Sequence, residues 1–135
     1  GKDAGSVEIA GGQALAITRV LYSMPPDHSA AAVRIVLEDA GLCADWKAEL
    51  EGMRLRMLNL RKDFAEALRR QSNSARFDFI ADHRGMFSRL GITEEQVNRL
   101  RDDFGIYMMG DSRFNVAGLK EDRMEDLAKA IVSVL

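Results

Sequence analysis

An apolar stripe through the middle of the chain restricts the fold more than any other feature. Trp46, Leu50, Met53, Met57, Leu60, Phe64 and Leu68 recur at spacings of four and three, the repeat that puts side chains on one face of an α-helix. Lys47, Glu49, Arg54, Arg61, Lys62 and Glu66 fall between them and read as the solvated face. Ser72-Asn73-Ser74 ends the run. About 30 residues of helix span roughly 45 Å, whereas a compact globule of this chain's length is roughly 36 Å across. A helix longer than its own globule bridges to another domain or subunit, or belongs to an elongated helical bundle. Periodicity alone leaves both open.

Ahead of the stripe, Val7 to Leu21 reads as a mediocre helix, with Ile9, Leu15, Ile17, Val20 and Leu21 apolar. Gly11-Gly12 interrupts it at a cost of about 1 kcal/mol per glycine. Pro25-Pro26 forces an extended connection. Asp27 or Ser29 is expected to cap a second helix through Val33, Ile35, Val36 and Leu37, stopping near Gly41.

After residue 75 the texture changes. Phe77–Ile80 and Met86–Ser88 read as strands joined by a turn through Asp82-His83-Arg84-Gly85. Thr93 with Gln96 forms a capping box opening a helix that turns Val97, Leu100 and Phe104 inward, and Gly105 closes it. Ile106–Met109 and Phe114–Val116 read as third and fourth strands. A last amphipathic helix carries Met124, Leu127, Ala130 (or Ile131) and Leu135 on one face. Three helices followed by β–β–α–β–β–α make an α+β chain, its small sheet covered by helices.

Charge and composition exclude several functions. Nineteen basic against 21 acidic residues leave a net charge of −2, too balanced to favour nucleic acid or anionic lipid. Arg54, Arg56, Arg61, Arg69 and Arg70 are interspersed with Glu49, Glu51, Asp63 and Glu66, a mixed-charge face and not a nucleic-acid stripe. No apolar run approaches the roughly 20 residues of a membrane span. Cys43, the single cysteine, reads as a small buried thiol and suits a reducing cytoplasm. His28, His83 and Cys43 lack metal-ligand spacing. The scattered glycines form no phosphate loop. Gly1-Lys2-Asp3-Ala4-Gly5 has neither a signal-peptide pattern nor a starting methionine, so a processed or excised piece of a longer chain is expected.

Two arginines stand apart. Arg113 lies between Gly110-Asp111-Ser112 and Phe114-Asn115-Val116-Ala117-Gly118-Leu119. A planar fork of donors there can grip a carboxylate with two bonds, but an ordinary ion pair with Asp111 is the simpler reading of the residues alone. Arg19 precedes Val20-Leu21-Tyr22-Ser23-Met24-Pro25-Pro26 and reads as an exposed helix-end arginine answering the helix dipole.

Four segments in order carry a resemblance. Tyr22-Ser23-Met24-Pro25-Pro26-Asp27-His28-Ser29, Gly85-Met86-Phe87-Ser88, Leu100-Arg101-Asp102-Asp103-Phe104-Gly105-Ile106-Tyr107 and Ser112-Arg113-Phe114-Asn115-Val116-Ala117-Gly118-Leu119 resemble the C-terminal region of class I aminotransferases. The likeness is to the aspartate/aromatic subgroup of fold type I pyridoxal-phosphate enzymes, and it runs from about Ala14 to Leu135. It implies that Arg113 grips the α-carboxylate of an amino- or 2-oxo-acid substrate, with Asn115 beside it and Phe87 near the substrate. It implies that Arg19 reaches across a homodimer interface to a dicarboxylate's distal carboxylate, or swings away for an aromatic side chain. Tyr22 and Ser23 then lie near the neighbouring subunit's site.

The resemblance also implies residues 1–40 as the tail of a large cofactor domain with its interface segment. Residues 41–135 then form the C-terminal small domain, opened by the long helix. Met24 and Ser29 depart from the Asn and Gly common around the two prolines, and lean toward aromatic or broad-specificity members. The family's Schiff-base lysine, pyridine-facing aspartate and phosphate-binding motif lie upstream of this region. Lys2, Lys47, Lys62, Lys120 and Lys129 sit in no matching context. The chain alone is therefore expected to be inactive and to bind no cofactor, as part of a cytoplasmic aminotransferase (or, alternatively, as a non-catalytic binding or dimerisation module on the same fold).

Overall fold

The computed structural model describes residues 3–135; Gly1 and Lys2 of the N-terminal segment weighed above lie outside it. The chain divides into two compact units, Gly1–Lys47 and Ala48–Leu135.

In the first unit, helix α1 (Ala4–Tyr22) starts at Asp3, whose Oδ1 accepts from the Ser6 amide at 2.8 Å. Gly11-Gly12 does not break it. Nothing lies within 4 Å of where either Cβ would stand, so the pair carries only its entropic cost. Ser23 ends the helix at φ 51°, its N–H donating to the Arg19 carbonyl at 3.1 Å. Helix α2 (Asp27–Glu38) corrects two expectations. Neither Asp27 nor Ser29 caps it. Pro26 holds the cap position and Asp27 lies in the first turn, where its charge complements the helix dipole. The helix also stops at Glu38, short of Gly41, because Asp39 turns extended and its carboxylate accepts from the Leu42 amide at 2.9 Å. Neither α1 nor α2 buries a residue.

Helix α3 (Ala40–Ser72) has 33 residues and carries the apolar stripe. Its C-terminal half is the part that buries: Leu60, Phe64 and Leu68 are enclosed, while Trp46, Leu50 and Met53 are exposed. Cys43, in its first turn, is half-buried. Asn73 at φ 49° turns the chain away. The first expected strand is absent. A 3₁₀ turn (Ala75–Phe77) and helix α4 (Phe79–Asp82) replace it. Phe77 and Ile80 both enter the core, which residues three apart do on a helical turn and not on a strand.

Strand β1 (Phe87–Arg89) pairs antiparallel with β2 (Arg113–Asn115), matching Phe87 to Asn115, Ser88 to Phe114 and Arg89 to Arg113. Between them, helix α5 (Glu94–Phe104) opens on the expected capping box and closes on Gly105 at φ 65°. Val97 and Leu100 point inward, but Phe104 is exposed at the helix's last turn. Ile106–Met109 forms no strand; a single bond, Met109 N–H to the Arg113 carbonyl at 3.4 Å, ties it to β2. Val116–Gly118 and Glu121–Arg123 are 3₁₀ turns leading to helix α6 (Met124–Ser133). Met124, Ala130 and Ile131 are buried, and Leu135, beyond the helix end, is not. The α+β class stands, with two strands among the described residues where four were expected. Among the described residues no helix is long and apolar enough to cross a membrane.

Candidate functional site

The turn before β2 is fixed from several sides. Ser112 is buried at φ 61°. Its amide donates to the Met109 carbonyl at 2.8 Å, its carbonyl accepts from Leu90 N–H at 3.1 Å, and its Oγ accepts from Gly91 N–H at 3.1 Å. The next residue, Arg113, leaves this clamp as the first residue of β2. Side chains two apart on a strand share a face, so Arg113 and Asn115 lie on the same side of the strand pair as Phe87 and Arg89.

The simple ion pair between Arg113 and Asp111 does not form. Asp111 Oδ2 accepts from Arg89 Nη2 at 2.6 Å, and Asp111 Oδ1 accepts only the Arg113 backbone N–H, at 3.1 Å. Arg113's guanidinium instead stands over the Phe87 ring, 5.5 Å from its centroid. Among the described residues none of its side-chain N–H groups has a protein acceptor. A cation over an aromatic face gains electrostatically while its fork of donors remains open to a planar anion.

Asn115 is oriented by its own turn: Oδ1 accepts from Ala117 N–H at 3.0 Å, leaving the amide nitrogen to donate outward. Arg113, Asn115 and Phe87 line one groove of about 640 Å³ with Tyr107, Met109 and Phe114. Phe64 of α3 meets Phe114 edge-on at 5.4 Å. An open charged fork beside a mostly apolar groove suits a carboxylate attached to an apolar body.

The other expected residues belong to the first unit. Arg19 lies in the last turn of α1, Tyr22 is its final residue, and Ser23 is its C-cap at positive φ. Arg19 and Tyr22 are three apart on the helix and share a face; both are exposed.

One arginine of α3 departs from the solvated mixed-charge face. The mixed-charge face of α3 holds at Arg54, paired to Glu51, at Arg69, paired to Asp78, and at Arg70, paired to Glu66 and Glu125. Arg61 is different: it is only 1% exposed. Nη1 donates to Ser88 Oγ at 2.6 Å and to the Ile80 carbonyl at 3.3 Å. Nη2 donates to the carbonyls of Gly85 at 2.7 Å and Phe87 at 3.3 Å. Burial pulls its pKa below the ordinary arginine value, and the nearby Arg84 charge adds to that. A signal was present in the sequence, since Arg61 follows Leu60 and stands four after Met57, at the edge of the stripe.

Lys47, Lys62, Lys120 and Lys129 are exposed, and none lines the Arg113 groove. Among the described residues no cluster of three or more His, Cys, Asp or Glu could hold a metal ion.

Comparison with known proteins adds the family. The model for "Aminotransferase class I and II" matches residues 5–131. The chain is 52% identical over 132 residues to an aromatic-amino-acid aminotransferase of Paracoccus denitrificans, covering 98% of this chain and 34% of that protein. It is 42% identical over 133 residues to an aspartate aminotransferase of Escherichia coli (strain K12), again covering 98% and 34%. Among solved structures, an aromatic amino acid aminotransferase with 3-indolebutyric acid matches with a TM-score of 0.91 at 52% identity, over 98% of this chain and 34% of that one. An aromatic-amino-acid aminotransferase from Burkholderia pseudomallei, covalently bound to pyridoxal phosphate, matches with a TM-score of 0.81 at 42% identity, over 87% and 29%. The chain thus spans about a third of the length of the curated relatives it matches. A profile running through both units, together with relatives above 40% identity, makes the chain a member of the class I and II aminotransferase family, of the aromatic/aspartate type.

Proposed function

We propose that this chain is the C-terminal part of an aminotransferase that moves an amino group between an aromatic or acidic L-amino acid and a 2-oxo acid. Its part is to supply the site for the substrate's carboxylate. The observation that carries this reading is Arg113, whose guanidinium pairs with no carboxylate among the described residues and is held over Phe87 at the mouth of an apolar groove. Arg113 grips the α-carboxylate, Asn115 donates beside it, and Phe87 and the groove receive an apolar side chain. Arg19 reaches across the homodimer interface to the distal carboxylate of a dicarboxylate in the neighbouring subunit's site, or swings away for an aromatic side chain. Tyr22 and Ser23 face a neighbouring subunit's site in a homodimer.

Pyridoxal phosphate is the cofactor of the parent protein, and when bound it supplies the electron sink for the chemistry. The residues described here do not fit it as anchors, because no lysine lines the groove and all the described lysines face solvent. The residues that hold it therefore lie in the larger cofactor domain, to which residues 1–40 belong, while residues 41–135 form the small domain. The free thiol of Cys43 fits a cytoplasmic protein.

In the full-length protein, Arg113→Ala should lower kcat/KM for amino-acid substrates by about a hundredfold or more, the scale of losing a charge-assisted pair. Near-wild-type kcat/KM in that variant would remove Arg113 from the site.

A further inference from the structure

We infer that Arg61 is a positioning residue for the carboxylate site, holding from inside the fold the segment that sets the Phe87 ring beneath the Arg113 guanidinium. The inference rests on the carboxylate role proposed for Arg113.

A buried arginine is ordinarily matched by a carboxylate, because an isolated charge is costly away from water. Arg61 has none among the described residues. Its acceptors are three backbone carbonyls and one hydroxyl, all from residues 80–88. An apolar side chain of similar volume would leave those acceptors without a donor. What arginine adds is geometry, since a rigid plane of donors fixes several acceptors at once.

Those acceptors bracket the strand that carries Phe87. Gly85 sits at φ 92° with its carbonyl on Nη2. Met86 offers its carbonyl to Val116 N–H at 2.8 Å, which ties the same segment to the residue after Asn115. Along β1 the side chains alternate, so Ser88 points in to Arg61 while Phe87 points out. Releasing Ser88 and the Gly85 and Phe87 carbonyls frees β1 to rotate. The ring under Arg113 then tilts with it. Arg61 therefore acts on the site through Phe87, without touching a ligand.

The test is calorimetric titration of the full-length protein with 3-indolebutyric acid, a carboxylate on an aromatic body with no amino group to react. Thermal melting of each variant checks folding. Arg61→Lys keeps the charge but loses the planar fork, and should weaken binding about two- to thirtyfold, the scale of losing a cation–π contact. Ser88→Ala should weaken it in the same direction by less. In a Phe87→Leu background, Arg61→Lys should cost little more, because the two effects share one route. Wild-type affinity in Arg61→Lys, or losses at Arg61 and Phe87 that multiply independently, would overturn the inference. If Arg61→Lys fails to melt cooperatively, the cycle between Ser88→Ala and Phe87→Leu decides by the same criterion. Arg113→Lys separates the two readings. Unchanged binding there removes the carboxylate role itself, whereas lost binding there with an indifferent Arg61→Lys overturns only the role of Arg61.

Discussion

Val20, Leu21 and Met24 of the first unit are 86, 71 and 88% exposed, whereas Leu60, Leu68, Leu100 and Ile131 of the second are all at 0%. Both units are built from helices whose ends are set by local chemistry: Asp3 and Asp39 in one, Thr93 with Gln96 in the other. What separates them is burial. A fully buried aliphatic side chain contributes about 1.5–3 kcal/mol relative to an exposed one, and most helical stability in proteins comes from packing an apolar face rather than from the helix's own hydrogen bonds. The second unit carries its own core. The first holds its shape through local interactions and presents apolar side chains to whatever covers them, which agrees with the proposal that it belongs with a larger cofactor domain.

The sharpest way to break this contrast is to delete one large apolar side chain from each unit. Phe64→Ala opens the core where α3 meets β2 and should cost about 3–5 kcal/mol. Ile9→Ala, on an exposed face of α1, should stay within about 0.5 kcal/mol. Urea unfolding of the 135-residue chain followed by far-ultraviolet circular dichroism measures both. Trp46 fluorescence is no substitute, because that residue lies in the first unit and is itself exposed. A loss at Ile9 comparable to that at Phe64 would mean that α1 is buried in solution.

Glycines test the same contrast with opposite signs. Gly105 closes α5 at φ 65°, where an L side chain costs about 1–2 kcal/mol, so Gly105→Ala should destabilise the second unit by that much. Gly11 is inside α1 with open space around its missing Cβ, so Gly11→Ala should stabilise that helix by about 1 kcal/mol. Helicity rising in Gly11→Ala and the urea midpoint falling in Gly105→Ala are the expected results. The same sign at both positions would contradict the assigned backbone geometries.

These contrasts also mark what could be read from the sequence. The α3 period, the Thr93–Gln96 box and the Gly105 stop are local signals with local causes, and they stand where expected. Phe77–Ile80 differs because a short segment with apolar Phe77, Phe79 and Ile80 suits a buried helical turn as well as a strand. Ile106–Met109 has strand-forming side chains, but pairing depends on a partner elsewhere in the chain, which spacing does not report. Periodicity showed which face of α3 is apolar, not which half of it is covered. Arg61 was missed for a related reason: charge suggests water, and only the tertiary fold shows that Gly85, Phe87 and Ser88 replace it. At the candidate site, the motif around Arg113 is legible in the sequence, but its freedom from Asp111 depends on Arg89 lying opposite it across the strand pair.

The smallest effect expected is on acid stability, and it again differs between the units. Asp3 is held below its usual 3.8 chiefly by the Ser6 amide hydrogen bond. Glu125 is held below its usual 4.5 chiefly by the hydrogen bond from Arg70, with Gln71 also donating. A carboxylate with a lowered folded pKa binds fewer protons folded than unfolded. Its contribution is therefore complete above the usual value and is lost as pH falls through the lowered one. Both side chains are exposed to solvent, so screening keeps each contribution small. Protonating Asp3 should fray only the first turn of α1. Protonating Glu125 should loosen the link between α6 and the end of α3, where Arg70 and Gln71 lie. Glu125→Gln should accordingly flatten the acid limb of the urea midpoint below about pH 4.5, while Asp3→Asn, which retains a capping oxygen, should make α1 helicity less sensitive to acid and leave that midpoint alone. Acid limbs that coincide for wild type and Glu125→Gln would show that α3 and α6 are held together by their apolar contacts and not by this carboxylate.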